Sequence, residues 1–193
     1  MRHRSLETIR DEHSSLAAML QSMRMMVDRG PGDDPKKFFD VLRAMLFYID
    51  EFPERLHHPK ETELLFPAVL RNAPGAADAI ARLDRDHEFT EKAVRDIQQL
   101  LLGWELLGEP RRPAFTEAFE KYVDLYLEHM RVEEQEVLPA AEKALSDAEW
   151  KALDDAFEKN RDPLTGGYEP GAEYDRLFTR IVMKAPAPIG LGE

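Results

Sequence analysis

One short pattern occurs twice in this chain of 193 residues and constrains its fold more than any other feature. In each copy a histidine is followed by a glutamate four places later and by a proline ten places later. The first copy contains His57 and Glu61, and the second contains His129 and Glu133. Side chains four residues apart on an α-helix lie on the same face. Each copy therefore predicts a helix that presents one imidazole and one carboxylate together.

Two such helices that face each other form a bundle-core site for a pair of metal ions, because a carboxylate has two oxygens and can bridge. Without a metal, the same carboxylates would lose hydration on burial that nothing replaces. The repeat therefore predicts a histidine–carboxylate metal site inside a helical bundle.

The spacing of apolar residues predicts four long helices, over residues 5–29, from residue 35 onward, over 76–107 and over 113–145. Short stretches that contain glycine or proline separate them, at residues 30–32, 72–75 and 108–110. The predicted fold class is all-α, an antiparallel up-and-down four-helix bundle formed by residues 1–145.

The second helix has two alternative descriptions, because proline disrupts a helix interior. Pro53 and Pro59 either bend the helix locally and aim the histidines, or end it near Phe52 so that a new helix starts near Pro59. The sequence leaves both alternatives open.

Residues 146–193 predict a short C-terminal helical extension. Ser146 and Glu149 form a capping-box pattern, which predicts a helix over residues 147–159, and a second short helix is predicted over 172–183. We expect the extension to pack against the bundle or against a partner subunit, and a homodimer is one arrangement that would allow this.

Two further histidines extend the repeat. His13 lies on the predicted first helix and His87 on the third, in the similar contexts Arg-Asp-Glu-His and Arg-Asp-His. Four of the six histidines thus fall once on each bundle helix at matching places. The repeat predicts two helical hairpins, each with a single histidine on its first helix and a His-x-x-x-Glu pair on its second.

Composition excludes several classes of function. The absence of cysteine rules out disulfides, thiolate metal sites and thiol catalysis. The net charge of −12 and the pI near 5.0 argue against binding to nucleic acid. No apolar run approaches the roughly 20 residues that span a bilayer, and the start lacks the apolar core of a signal peptide. We expect no membrane association and a cytoplasmic location.

The order His, His-x-x-x-Glu, His, His-x-x-x-Glu resembles the hemerythrin family, in its bacterial hemerythrin-like (HHE cation-binding) branch, over roughly residues 9–141. The resemblance implies a four-helix bundle with a non-haem di-iron centre that binds dioxygen reversibly or handles oxygen, nitric oxide or iron. By motif position, it implies two irons held by His13, His57, His87 and His129 and bridged by Glu61 and Glu133. Zinc or manganese in the purified protein is compatible with the same ligands.

The sequence departs from the family pattern on the third helix. Hemerythrins proper have a second histidine four residues after the first, where this chain has Glu91, and the repeat counterpart on the first helix is Ala17. We expect Glu91 to be an additional ligand of the His87/His129 iron, with a surface acid as the alternative. We expect a small molecule to bind at the more open His13/His57 iron. His58 is either exposed, an orienting residue, or a ligand.

Three functions fit these features. The first is a non-catalytic di-iron protein that binds dioxygen or a related small molecule, such as nitric oxide or peroxide, for storage, sensing or iron and oxygen handling. The second is a di-iron oxidoreductase of the peroxidase or ferroxidase type, or an iron–sulfur repair factor, although this sequence lacks the cysteine-containing N-terminal region of such repair proteins. The third is a helical interaction protein whose metal is structural or absent.

Overall fold

The computed structural model describes residues 3–160, 162, 164–165 and 174–192, and helices make up most of this part of the chain. The first bundle helix is α1, Arg4–Arg29. The second covers residues 35–72 and contains α2, α3 and α4, which span Pro35–Ile49, His58–Lys60 and Phe66–Asn72. The third is α5, Ala77–Leu107. The fourth covers residues 112–144 and contains α6, Arg112–Val132, and α7, Leu138–Ala144.

The bundle helices pack as the predicted fold class requires. The third and fourth helices, α5 and α6, lie side by side, and α1 packs against both α2 and α6. Short loops join consecutive helices, so neighbours run antiparallel. The prediction of an all-α, hemerythrin-like helical bundle is confirmed.

Three π-helical segments interrupt the α-helices, at Asp50–His57, Glu61–Leu65 and Glu133–Val137. Pro53 lies within the first, and Pro67 and Pro139 follow closely after the other two. A proline has no N–H and its ring clashes with the carbonyl four residues earlier in an α-helix. The wider π turn, whose bonds span five residues, accommodates this clash without ending the helix. The second bundle helix is therefore continuous and does not end near Phe52.

Two apolar clusters lie on either side of a layer of buried polar side chains. One cluster joins the C-terminal half of α1 to α2, α5 and α6, with large members such as Trp104 and Phe115. The other joins the start of α1 to α4, α7 and the extension, with members such as Phe66 and Trp150. The buried histidines and glutamates occupy the layer between them.

The C-terminal extension packs on the bundle. The predicted capping box is present: the Ser146 side chain accepts from the backbone N–H of Glu149, and the Glu149 side chain accepts from that of Ser146. It opens α8, Asp147–Phe157, which lies against α1. The last helix, α9, spans Asp175–Lys184 and lies against α2. The first two residues of its predicted range, 172–173, fall outside the described part of the chain.

Within the described residues, every helix is too short or too polar to cross a membrane.

Replacing Asp154 by alanine should weaken the attachment of α8 to α1. One carboxylate oxygen of Asp154 accepts from the backbone N–H of Ser5 at 2.8 Å and from its hydroxyl at 2.7 Å. Losing these two bonds to a charged group should lower the free energy of unfolding by about 1–2 kcal/mol, measured by urea denaturation. The matched control is Asp155→Ala. Asp155 is exposed and pairs with Lys151, which is also exposed, so its loss should change stability by less than about 0.5 kcal/mol. Equal effects of the two variants would contradict this prediction.

Candidate metal centre

Two sets of buried side chains bring imidazole nitrogens and carboxylate oxygens within 4.8 Å of one another. The first set consists of His13, His57, Glu61 and Glu133. The second consists of His58, Glu61, His87 and His129. The structure thus brings together every predicted ligand except Glu91, and it adds His58.

Glu61 belongs to both sets because its two oxygens point in different directions. Oε1 lies 2.7 Å from Nε2 of His57, and Oε2 lies 3.3 Å from Nε2 of His87. Glu133 faces the first set alone, with Oε2 at 3.3 Å from Nε2 of His13. The structure therefore makes Glu61 the carboxylate best placed to bridge two ions.

The π-helical segments position these side chains. Glu61 and Glu133 each begin such a segment, one turn after the paired histidine of their repeat. On a regular α-helix, adjacent residues point about 100° apart, so His57 and His58 would not both face inward. Here the π-helical turn that precedes them ends at His57, and both rings are buried. This local geometry brings His58 into the second set.

The two histidines of the first set are oriented by carboxylates at their outer nitrogen, Nδ1. Nδ1 of His13 lies 2.9 Å from Oε1 of Glu134, and Nδ1 of His57 lies 2.5 Å from Oε2 of Glu12. A carboxylate only accepts, so both Nδ1 atoms carry a proton and donate it. Such partners fix the ring and leave Nε2 facing the centre, as ligand histidines require.

His87 and His129, in the second set, have weaker partners at Nδ1. The hydroxyl of Thr62 donates to Asp84 at 3.0 Å and lies 2.9 Å from Nδ1 of His87, from which it accepts. Nδ1 of His129 has the carboxylate of Asp86 at 3.6 Å, an ion-pair distance rather than a hydrogen bond.

His58 has partners on both nitrogens. Its Nδ1 lies 2.9 Å from Oε2 of Glu54, and its Nε2 lies 2.8 Å from the hydroxyl of Tyr126. Glu54 also accepts from the hydroxyls of Tyr122 and Thr90, at 3.0 and 3.1 Å. His58 can therefore ligate an ion through Nε2 only when Tyr126 turns its hydroxyl away.

The first set holds protons on its imidazoles. Burial lowers the pKa of His13, but the charge of Glu133 and the hydrogen bond to Glu134 outweigh it and raise the pKa to about 9. Burial also opposes the charged form of His57, yet the charge of Glu61 and the bond to Glu12 raise its pKa well above the usual value. The pKa of Glu61 falls well below its usual value despite burial, because the charge of His57 favours the carboxylate.

The pKa of Glu133 moves in the opposite direction. Burial and the nearby charge of Glu61 raise it to about 7, although His13 opposes the shift. In the second set, burial and then the charges of His87 and His129 lower the pKa of His58 well below its usual value. His58 is therefore neutral at physiological pH, which is the form that binds metals.

The buried ligand atoms that have no hydrogen-bond partner are suited to binding metal ions. All four side-chain oxygens of Glu61 and Glu133 are buried without a hydrogen-bond partner, as is Nε2 of His57. Unpartnered buried carboxylates are unfavourable by several kcal/mol unless a cation compensates for lost hydration. A donor set of imidazole nitrogen and carboxylate oxygen suits iron, manganese or zinc. The residues present therefore fit a pair of such ions.

Glu91 lies outside both ligand sets, in the position expected of a surface acid. The Glu91 side chain is 54% exposed and accepts a hydrogen bond from Nη2 of Arg95 at 3.0 Å. The second set contains His58 in place of Glu91, and the ring of His58 stacks on that of His87 with 3.9 Å between centroids. Since His58 comes from a neighbouring helix, the sequence of the third helix alone could not indicate it.

A small cavity adjoins the first set. Its volume is about 10 Å³, roughly the space of one water molecule. Its apolar lining comes from Leu16, Phe52, Pro53 and Leu56, and the rings of His13 and His57 form part of its wall.

Several orienting residues went unnoticed in the sequence. Glu54 precedes His58 by four residues, a spacing that places both on one helix face and offers a usable signal. Glu12 and Glu134 each stand next to a ligand in sequence, but neighbours on a helix point in different directions, so adjacency does not indicate contact. Asn160, which contacts Glu12, has no local signal at all.

A protein-family model described as the hemerythrin HHE cation-binding domain matches residues 4–141. The matched segment contains both ligand sets and ends before α8. Searches of curated proteins and of solved structures found no match.

Metal content should distinguish Glu91 from the buried carboxylates. Glu91→Ala removes an exposed side chain, so the protein should keep the parent's metal content. Glu133→Ala removes a ligand of the first set and should lower the content by about one ion of two, measured by elemental analysis after metal loading and desalting. Loss of metal from the Glu91 variant would restore Glu91 as a ligand.

Metal affinity of the first set should rise with pH. With a pKa of about 9, His13 is protonated at neutral pH, and with a pKa of about 7, Glu133 is half protonated there. An ion must displace these protons, so their competition weakens as pH rises through 7 and then through 9. The apparent affinity for Zn²⁺ should rise by about tenfold per pH unit for each displaced proton, measured between pH 6 and 8 against a chromophoric chelator. An affinity independent of pH would contradict this assignment.

Proposed function

This chain belongs to the hemerythrin HHE cation-binding family, and from that premise we propose that it holds two iron ions and binds dioxygen, or a related small molecule such as nitric oxide or peroxide, without turning it over. The family match and the two buried histidine–glutamate sets support the binding of metal ions by this chain.

The observation that carries the proposal is the position of Glu61. Its two oxygens are buried, unpartnered, and directed to His57 on one side and His87 on the other. One shared carboxylate between two sets of imidazoles is suited to two ions rather than one. Bound iron supplies a redox-active centre that can exchange electrons with dioxygen.

The cavity beside the first set supports binding there. Leu16, Phe52 and Leu56 form the apolar part of its wall, and its volume of about 10 Å³ leaves room for only a very small molecule. The ligand nitrogens of His13 and His57 are held inward by Glu134 and Glu12. The chain thus fixes the ligand geometry and limits what can approach it.

A di-iron oxidoreductase is the second candidate, and one observation favours it. The buried hydroxyl of Tyr126 lies 2.8 Å from Nε2 of His58, and Nδ1 of the same ring lies 2.9 Å from Oε2 of Glu54. Burial raises the pKa of Glu54 to about 8 although its hydrogen bonds oppose the shift. These groups store protons beside the second set, which peroxide or oxygen reduction would consume.

The optical spectrum of the reduced, iron-loaded protein separates the two candidates. Binding without turnover predicts charge-transfer absorption that appears when dioxygen is admitted and disappears when it is removed. The oxidoreductase predicts irreversible conversion to the ferric form, and turnover when peroxide or ferrous iron is supplied in excess.

Filling the cavity should block small-molecule binding without removing iron. Leu16→Phe adds bulk to a buried cavity wall, so the variant should keep the parent's iron content but lose most of the spectral change with dioxygen or nitric oxide. Leu20→Phe is the matched control, since Leu20 is also buried on α1 but does not line the cavity. Overpacking should destabilise both by about 1–3 kcal/mol. A full spectral response from the Leu16 variant would place the binding position elsewhere.

A further inference from the structure

We propose that the C-terminal extension contributes to the metal centre: its residue Asn160 positions the imidazole of His57 by holding the carboxylate of Glu12. Asn160 lies beyond the family segment, which ends at residue 141. The proposal rests on the proposed function, because it concerns the first ligand set.

Asn160 determines how Glu12 faces His57. Its Nδ2 lies 2.9 Å from both Oε1 and Oε2 of Glu12. Oε2 of Glu12 in turn accepts from Nδ1 of His57 at 2.5 Å. All three side chains are buried, with Asn160 only 3% exposed. An amide group has two N–H donors and can engage both oxygens of one carboxylate. The donated bonds therefore fix the carboxylate that fixes the imidazole.

Lys60 fixes the orientation of the Asn160 amide. Its Nζ donates to Oδ1 of Asn160 and also to the backbone oxygen of Leu56, the latter at 2.9 Å. Because an ammonium group only donates, Oδ1 must face Lys60 and Nδ2 must face Glu12. Lys60 stands three residues after His57 on the second bundle helix. The hydrogen bonds thus run from His57 through Glu12 and Asn160 back to the helix that carries His57.

The extension also closes the space beside the first set. The buried ring of Phe157 meets the ring of His57 edge-on, with 5.9 Å between centroids. Asp162 accepts from the hydroxyl of Tyr48 at 2.6 Å, and Asn160 and Asp162 both line the small cavity. Removing the contacts of Asn160 should therefore loosen one wall of that cavity as well as the imidazole.

The second set does not depend on the extension in this way. The partners of its outer nitrogens are Glu54, Thr62 and Asp86, which all belong to the bundle. A change at Asn160 should therefore weaken one of the two metal positions and leave the other intact. Loss of a residue that orients a metal ligand typically reduces metal affinity by about 10–100-fold.

The test is a stepwise Co²⁺ titration of the full-length chain after chelator treatment, followed by the visible absorption of the bound ion. The parent should bind two equivalents. Asn160→Ala should weaken one of them by about 10–100-fold and leave the other unchanged. Asn160→Asp is close to isosteric but cannot donate to Glu12, so it should weaken the same equivalent at least as much. Glu12→Ala should weaken the same Co²⁺ equivalent by a similar factor. The double variant Glu12→Ala/Asn160→Ala should bind that equivalent no more weakly than Glu12→Ala alone.

Asp154→Ala is the control for attachment of the extension. It loosens α8 from α1 at Ser5 without touching Glu12, so it should lower stability and leave both Co²⁺ affinities at the parent's values. The proposal is overturned if both Asn160 variants bind two equivalents with the parent's affinities, or if Asp154→Ala weakens the same equivalent as strongly.

A second readout does not require metal. In the metal-free protein, the short contact with Glu12 should give the Nδ1 proton of His57 a strongly downfield NMR signal, assigned with a His57→Gln variant. The signal should move in Asn160→Asp and stay in place in Asp154→Ala. If the parent protein binds no Co²⁺, the proposed function fails. The NMR signal would then still decide whether Asn160 positions His57.

Discussion

The burial of two carboxylates without hydrogen-bond donors is the constraint on which this structure depends. Glu61 and Glu133 lie at the centre of the bundle with every side-chain oxygen unpartnered. Such groups strongly destabilise a fold unless positive charge surrounds them. The inward Nε2 atoms of the histidines supply part of that charge when protonated, and bound metal ions would supply it in full. The two apolar clusters above and below this layer then exclude water from it.

Much of this arrangement follows from residue spacing. A histidine and a glutamate four places apart share a helix face, so two copies of that pair, with two lone histidines, predict a bundle whose core binds metal. Apolar periodicity and the glycine- and proline-containing loops predicted the helices closely, and the capping box at Ser146 was recognisable from two residues. Each of these features depends on residues that are close together in the sequence, so their spacing is enough to predict it.

The features that residue spacing does not determine are those whose geometry is not local. The inward position of His58 depends on π-helical turns beside prolines, and a regular helix would direct it away from His57. The ring of His58 stacks on that of His87, and Glu91 pairs with Arg95 at the surface. Asn160 reaches Glu12 from a segment almost the whole chain away, a contact that only the packing of the extension creates.

The claim that Glu61 joins two metal positions is tested most directly by anomalous diffraction from crystals of the iron-loaded protein. We expect two anomalous peaks on opposite sides of the Glu61 carboxylate, one beside His13, His57 and Glu133 and one beside His87 and His129. A single peak, a peak beside Glu91, or two peaks that do not share Glu61 would contradict the account.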